Sequence, residues 1–353
     1  MKRLFKFLPF IFSILFVNCN LYGQQTDDYS AKIDSLINVT SPRSFNGVIL
    51  ITQNGKTKYS KAFGYSDFEK KTPLTLKDNF RIQSNSKQVT AVLILKEVEK
   101  GKIDLQNPVR KYLPDLHQTW ADTVTVHQLL NMSSGIVALD KPLIFKPGTS
   151  FYYSNPAYGL LGKILETVKG EKYTKSVTNL FRQLGMNNSY CYEMGKTNYR
   201  LINGYVQSNV DFKLVDFDKL GFTEQSWANF IPTGGIISNL NDLNIWDTKL
   251  HNGKLLKLTS YQAMSNSEIP DLFKPLSDEQ IAYGYGINII AKKPFKYLGH
   301  GGRGFGFSSM KFYVPHKKLN VIVLENVFTE NVDIHYYFEK AIREIVINSN
   351  LVK

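Results

Sequence analysis

Hydrophobic and polar positions fall into blocks of different period along the chain. The run Phe45-Asn46-Gly47-Val48-Ile49-Leu50-Ile51-Thr52 predicts a strand, Asn54-Gly55 a tight turn, and 56–64 the return strand. A short helical pattern over 29–39 precedes them. The period then lengthens. Residues 89–98 read as a buried helix stopping at Gly101, and 125–130 as a short helix closed by the Ser133-Ser134-Gly135 turn. Pro156 can open a further helix at its first position, with Leu160, Leu161, Ile164, Leu165 and Val168 as its apolar stripe up to Gly170. Val177, Leu180, Phe181 and Leu184 repeat that stripe before Gly185. From about Pro232 the texture changes again. A helix near 242–250, capped by Ser238 or Asn239, is followed by strand-like runs at 283–290, 296–298, 308–314 and 319–324, then by an amphipathic helix over 332–347.

Strands early and late with helices between predict an α+β fold. The expectation is one antiparallel sheet formed by the N- and C-terminal parts of the chain and flanked by helices, with an all-helical subdomain inserted. The boundaries read from the sequence are a leader over 1–23 and a domain over 24–353. In that domain the helical subdomain, about 84–231, lies between sheet-forming parts 40–83 and 232–353.

Composition is that of an ordinary globular chain: 353 residues, 43% hydrophobic and 21% charged. It excludes disorder, a collagen-like repeat and a disulfide scaffold. The formal charge of +13 invites a nucleic-acid or membrane-surface reading. The N-terminus changes that picture. Lys2, Arg3 and Lys6 precede the largely apolar run 7–17, the form of a secretory signal peptide and too short for a bilayer span of about 20 residues. Cleavage after Gly23 removes three basic residues and no acid, lowering the formal charge from +13 to +10. Lipid attachment at Cys19 is the alternative, although Phe16-Val17-Asn18 lacks the small residue expected before a lipidated cysteine. The expected location is secreted or periplasmic, with no transmembrane segment in the mature chain. Cys191 then stands alone and reads as a small buried hydrophobe. No dense basic run, zinc spacing or basic recognition helix supports nucleic-acid binding.

Three segments carry candidate chemistry. In Ser84-Asn85-Ser86-Lys87, a helix beginning here would set Ser84 and Lys87 one turn apart on one face. Free N–H groups at its start can stabilise an oxyanion, and the lysine can take the hydroxyl proton. Taken alone, a helix N-cap accounts for Ser84 more simply. A second Ser-x-x-Lys, Ser308 to Lys311, falls in a strand, where the two side chains face opposite sides. In Tyr153-Ser154-Asn155 a phenol near a lysine can act as general base and Asn155 can orient lysine and substrate; taken alone, the tyrosine is a packing residue. Gly299-His300-Gly301-Gly302-Arg303-Gly304 contains the GxGxxG spacing, but a strand follows where a dinucleotide site needs a helix. The expectation is a glycine-rich turn between strands with His300 and Arg303 pointing into a cleft, or else a plain glycine hairpin with an exposed arginine.

In this order and with these gaps, Ser-x-x-Lys, Tyr-x-Asn and His-x-Gly resemble the serine hydrolases related to class C β-lactamases, a group that includes low-molecular-weight penicillin-binding DD-peptidases, D-aminopeptidases and lactamase-like esterases. The likeness extends to Phe80-Arg81-Ile82, Leu129-Leu130-Asn131-Met132-Ser133-Ser134-Gly135, Lys146-Pro147-Gly148-Thr149 and Gly234-Gly235-Ile236-Ile237-Ser238, from about Asn46 to beyond Leu324. It implies the β-lactamase/transpeptidase-like fold, with Ser84 as the acylated nucleophile and Lys87 and Tyr153 sharing proton transfer. Asn155, His300, Gly301, Gly302 and Arg303 would bind substrate, the N–H groups of Ser84 and Arg303 forming the oxyanion hole. No metal or cofactor is implied, and the remaining histidines show no ligand spacing. The partner implied is a small-molecule or peptide substrate, cell-wall derivatives among them.

Three residues depart from the pattern. Gln83 stands where a small residue usually precedes the nucleophile, and is expected to narrow the cleft. Met132 replaces a histidine in the Ser-Ser-Gly turn, a position read as structural. His300 replaces the lysine of efficient lactamases. A largely neutral histidine anchors a carboxylate less well, a charge Arg303 is expected to restore. The sequence therefore points to an exported serine hydrolase acting on an ester, a β-lactam or a D-amino-acid peptide, with an inactive peptidoglycan- or penicillin-binding protein as the alternative.

Overall fold

The Asn54-Gly55 signal holds: β1 (Gly47–Gln53) and β2 (Lys56–Phe63) form an antiparallel hairpin, with both turn residues at positive φ. The computed structural model describes residues 27–196, 200–208, 211–266, 270–271, 281–292 and 295–353; the expected leader, with Cys19, lies outside them. Two small sheets apart, formed by residues 65–67 with 72–73 and by 205–208 with 211–214 and 327–328, the strands that follow are the short pieces β3 (Phe80–Arg81), β4 (Tyr190–Cys191) and β5 (Ile236–Ser238), then β6 (Pro270–Asp271), β7 (Ile281–Tyr283), β8 (Asn288–Lys292), β9 (Phe295–Gly304), β10 (Phe307–Val314) and β11 (Leu319–Glu325). The large sheet has eight antiparallel strands in the order β6-β7-β8-β9-β10-β11-β1-β2, so β1, from the N-terminal part of the chain, lies beside β11. A three-stranded sheet, β3-β5-β4, links the segment before Ser84 to residues 236–238 and 190–191.

The helices are α1 (Ser30–Ile37), α2 (Ser86–Glu99), α3 (Val126–Leu130), α4 (Asn155–Lys169), α5 (Tyr173–Leu184), α6 (Glu224–Gly234), α7 (Leu240–His251), α8 (Leu258–Met264), α9 (Val332–His335) and α10 (Tyr337–Ile347). No helix among the described residues is long and apolar enough to cross a membrane. The large sheet is covered on both faces, which is why β10 and β11 are buried at every position instead of alternating. Ile49, Ile51, Val321 and Val323 pack with Ile33, Phe338 and Ile342 of α1 and α10 on one face. Val48, Ile322 and Leu324 join the larger core built around α2, α4 and α7 on the other.

Three expectations about the C-terminal part are corrected. The run 283–290 is a hairpin, not one strand: Tyr283 pairs with Asn288, and Gly284 N–H donates to Ile287 O at 2.8 Å. Gly286 makes this possible, with φ +66° and a backbone so close to α2 that a methyl group there would lie 2.7 Å from the Lys87 carbonyl oxygen. The glycine-rich segment 299–304 is itself strand, the end of β9, and the turn lies beyond it at Phe305-Gly306, φ +50° and +81°. The C-terminal helix is also interrupted, at Tyr336, between α9 and α10.

Candidate active site

Ser84 lies in a 3₁₀ turn, residues Gln83–Asn85, that feeds directly into α2. One turn later Lys87 is wholly buried, and its Nζ lies 3.1 Å from Ser84 Oγ, 2.9 Å from Asn155 Oδ1 and 2.9 Å from the Thr233 carbonyl oxygen. Each of these partners has a local reason to be there. Ser154 caps α4, its Oγ accepting the Ala157 N–H at 3.1 Å, so Asn155 occupies the first helical position. Thr233 stands in the last turn of α6, where carbonyls lack intrahelical partners, and Gly162 of α4, having no side chain, lets Pro232 of that turn pack against it.

Burial pushes the Lys87 ammonium well below its usual range. A neutral amine has two hydrogens and one lone pair. Asn155 Oδ1 and Thr233 O can only accept, so once Lys87 is deprotonated they take both hydrogens and leave its lone pair to the Ser84 hydroxyl. The Tyr153 ring stands 4.7 Å from Lys87 Nζ and is half-buried at the mouth of this cluster.

His300 lies on β9 with its ring 6.2 Å from that of Tyr153 and only 3% exposed. Its Nδ1 contacts the Gly301 carbonyl, so it must carry the proton, and Nε2 accepts from the Tyr283 hydroxyl at 3.0 Å. Burial, opposed by the bond to Gly301, holds His300 down to about 3, so it is neutral at pH 7. Tyr283 is a partner that the sequence did not flag.

Beyond Gly299, which faces Asn288, β9 has no strand on its outer side among the described residues. The two-residue turn makes Gly304 and Phe307 the hydrogen-bonded pair; two and four residues back, Gly302 and His300 also bond β10, and the amides of Gly301 and Arg303 point to the open edge. That edge is pressed against the nucleophile turn: a methyl group on Gly302 would lie 2.6 Å from Ile82 O and 2.8 Å from Gln83 Cβ.

The structure thus brings together Ser84, Lys87, Asn155, Tyr153, His300, Gly301 and Gly302, but not the Arg303 side chain. Arg303 pairs with Ser308, whose hydroxyl contacts His335 and Glu339 on the far face of the sheet. Its exposed guanidinium adds to burial and Arg43 in lowering His335. The expectation that Arg303 points into the cleft as an anion anchor is corrected; strand alternation turns it away from His300. Lys311, of the second Ser-x-x-Lys, faces opposite to Ser308 and is buried against Asp247 and Gln88. Met132 supports the Tyr153 loop, accepting the Ser154 N–H on sulfur at 3.2 Å. Cys191 is buried and burial pushes its thiol up, which makes it a poor nucleophile.

The model of the Beta-lactamase family matches residues 39–342. Protein flp of Staphylococcus aureus is 26% identical over 335 residues, covering 87% of this chain, which spans 65% of the length of that relative. Penicillin-binding protein 4* of Bacillus subtilis is 27% identical over 320 residues, covering 80% of this chain and 68% of that protein. Among solved structures, the octameric penicillin-binding protein homologue from Pyrococcus abyssi superposes with TM-score 0.75 at 28% identity, over 90% of this chain and 76% of that one. D-amino acid amidase from Ochrobactrum anthropi SV3 shares the fold, with TM-score 0.75 at 22% identity over 90% of this chain and 98% of that one. The match over most of the chain, with the same fold in both solved structures, makes this protein a member of the beta-lactamase family.

Proposed function

We propose that the chain is an exported serine hydrolase that forms an acyl-enzyme on Ser84, with a neutral ester or amide as its preferred substrate. The observation that carries this reading is the Lys87 amine, with two carbonyl acceptors occupying its hydrogens and Ser84 Oγ 3.1 Å from Nζ. In the first step Ser84 Oγ bonds to the substrate carbonyl carbon and its proton passes to Lys87 Nζ. The oxyanion is held by the N–H groups of Ser84 and Arg303. The carbonyl re-forms as the leaving group departs, taking a proton through Lys87 and Tyr153. Water then attacks the acyl carbon and gives up a proton to Lys87; the bond from that carbon to Oγ breaks, Lys87 passes the proton to Oγ, and the acid leaves. Asn155 fixes Lys87 and binds the substrate amide or ester. Export rests on the basic start and the apolar run 7–17.

The preference for a neutral substrate rests on His300 and Arg303. A histidine lowered to about 3, with both ring nitrogens bonded, presents no cation to a substrate carboxylate, and the guanidinium of Arg303 lies on the other face. A kinetic panel tests this: nitrocefin, p-nitrophenyl acetate and butyrate, a D-Ala-D-Ala peptide and a D-amino-acid amide, with Ser84→Ala as blank. The expected result is a higher kcat/KM for the esters or the amide than for nitrocefin and the carboxylated peptide. Nitrocefin or the peptide as best substrate would overturn the preference. No Ser84-dependent turnover and no labelling by a fluorophosphonate or a labelled penicillin would make the chain a binding protein.

A further inference from the structure

Gln83, expected to narrow the cleft, does something else. It is 2% exposed, and its side chain turns away from Ser84 so that Nε2 donates to the Gly304 carbonyl at 2.7 Å, at the end of β9. Its backbone is left-handed, φ +49°, a conformation that side-chain-bearing residues adopt only when something around them holds it. On the other side of Ser84, Asn85 Nδ2 donates to Ser309 Oγ at 2.9 Å, and that hydroxyl donates to the Ile82 carbonyl at 2.9 Å. Both neighbours of Ser84 therefore grip the β9–β10 hairpin. Asn85 holds it through β10, a strand paired on both sides; Gln83 holds the tip of β9, which from His300 on is paired on one side only among the described residues. Phe305, just past that tip, is braced by Phe217, Phe222, Trp227 and Phe230, and the Gln83 bond ties the tip of β9 itself to the nucleophile turn.

We propose that Gln83 is a positioning residue: by tying Gly304 to the residue before Ser84, it fixes the spacing between the Ser84 and Arg303 N–H groups that receive the oxyanion. This rests on the acyl-enzyme reading above. Because one donor belongs to the turn and the other to the strand edge, their separation is set by how the edge is held. A donor displaced by a fraction of an ångström binds the ground-state carbonyl nearly as before and loses the oxyanion.

Gln83→Gly and Gln83→Met separate positioning from folding. Glycine removes the amide and accepts φ +49° freely; methionine keeps the length and loses the donor. For a p-nitrophenyl ester, both are expected to lower kcat on the order of tenfold to 10²-fold with KM within about twofold. Affinity for an aryl boronic acid, which forms a tetrahedral adduct on the serine, is expected to fall with kcat in both variants, at temperatures well below the Tm of either. Wild-type kcat and boronate affinity in both variants, or losses that follow Tm alone, would overturn the role of Gln83 while leaving the acyl-enzyme reading intact. Full turnover by Ser84→Ala in the same assay would overturn both.

Discussion

Lys87 has the environment that a general base on serine requires, and the cause is removal from water. Desolvation disfavours the ammonium, and its three polar neighbours are a hydroxyl and two amide oxygens, none of them carrying the negative charge that would restore it. The sign of the pH dependence follows. The amine is competent when deprotonated, so kcat/KM on an uncharged ester should fall about tenfold per pH unit below one apparent pKa lying well under the usual lysine value of 10.5. In the proposed mechanism Ser84, Lys87 and Tyr153 share protons, so that value belongs to the cluster and not to one group. A rate still climbing tenfold per unit at pH 9–10 would contradict a neutral Lys87. Lys87→Ala should lower kcat/KM by about 10²- to 10⁴-fold. Ser84, Lys87 and Tyr153 were legible in the sequence because spacing on a helix and a shared motif order define them. Tyr283 and Thr233 were not, since one acts through a phenol brought from a distant hairpin and the other through a backbone carbonyl that any residue could supply.

Among the elements, the end of β9 decides how far the sequence could be read. Asn54-Gly55 announced its hairpin because the turn is local, and both residues occupy the left-handed region. The glycines at 299–304 were misplaced as a turn because their constraint is tertiary: Gly302 is bare so that β9 can touch the turn at Ile82 and Gln83, and Gly286 so that the β7–β8 turn can touch Lys87. Once that segment is strand, alternation sends His300 and Arg303 to opposite faces, which a turn would not have required. Gly302→Ala tests the close approach directly. The obstructing atom is a backbone carbonyl oxygen at 2.6 Å, so β9 must move. The expected outcome is a loss in kcat/KM on the order of 10²-fold, as for an impaired oxyanion donor. The accompanying stability loss should be the about 1–3 kcal/mol typical of overpacking, read by denaturant unfolding. Wild-type kinetics in this variant would mean that the strand edge takes no part in catalysis.

Across the whole molecule, both ends of the chain build the sheet and the segment between them builds most of the cleft. Arg43, ahead of β1, is bidentate to Glu325 at the end of β11, at 2.7 and 2.8 Å, and also reaches Glu339 of α10 at 3.0 Å, a buried network joining the two ends. Lys311 joins β10 to Asp247 of α7 and Gln88 of α2, next to Lys87 in the chain. The sheet is thereby locked to the nucleophile helix by buried charge as well as apolar packing, and removing one partner of such a pair costs about 3–5 kcal/mol. The overall +13 plays no visible part in this chemistry. The proposed chemistry converges on one covalent event at Ser84. Intact-mass spectrometry of the protein treated with a fluorophosphonate, or acid-quenched during turnover of a p-nitrophenyl ester, observes that event directly. A single adduct on the peptide containing Ser84, absent from Ser84→Ala, is the expected result; an adduct on another residue, or turnover by Ser84→Ala at the wild-type rate, would contradict it.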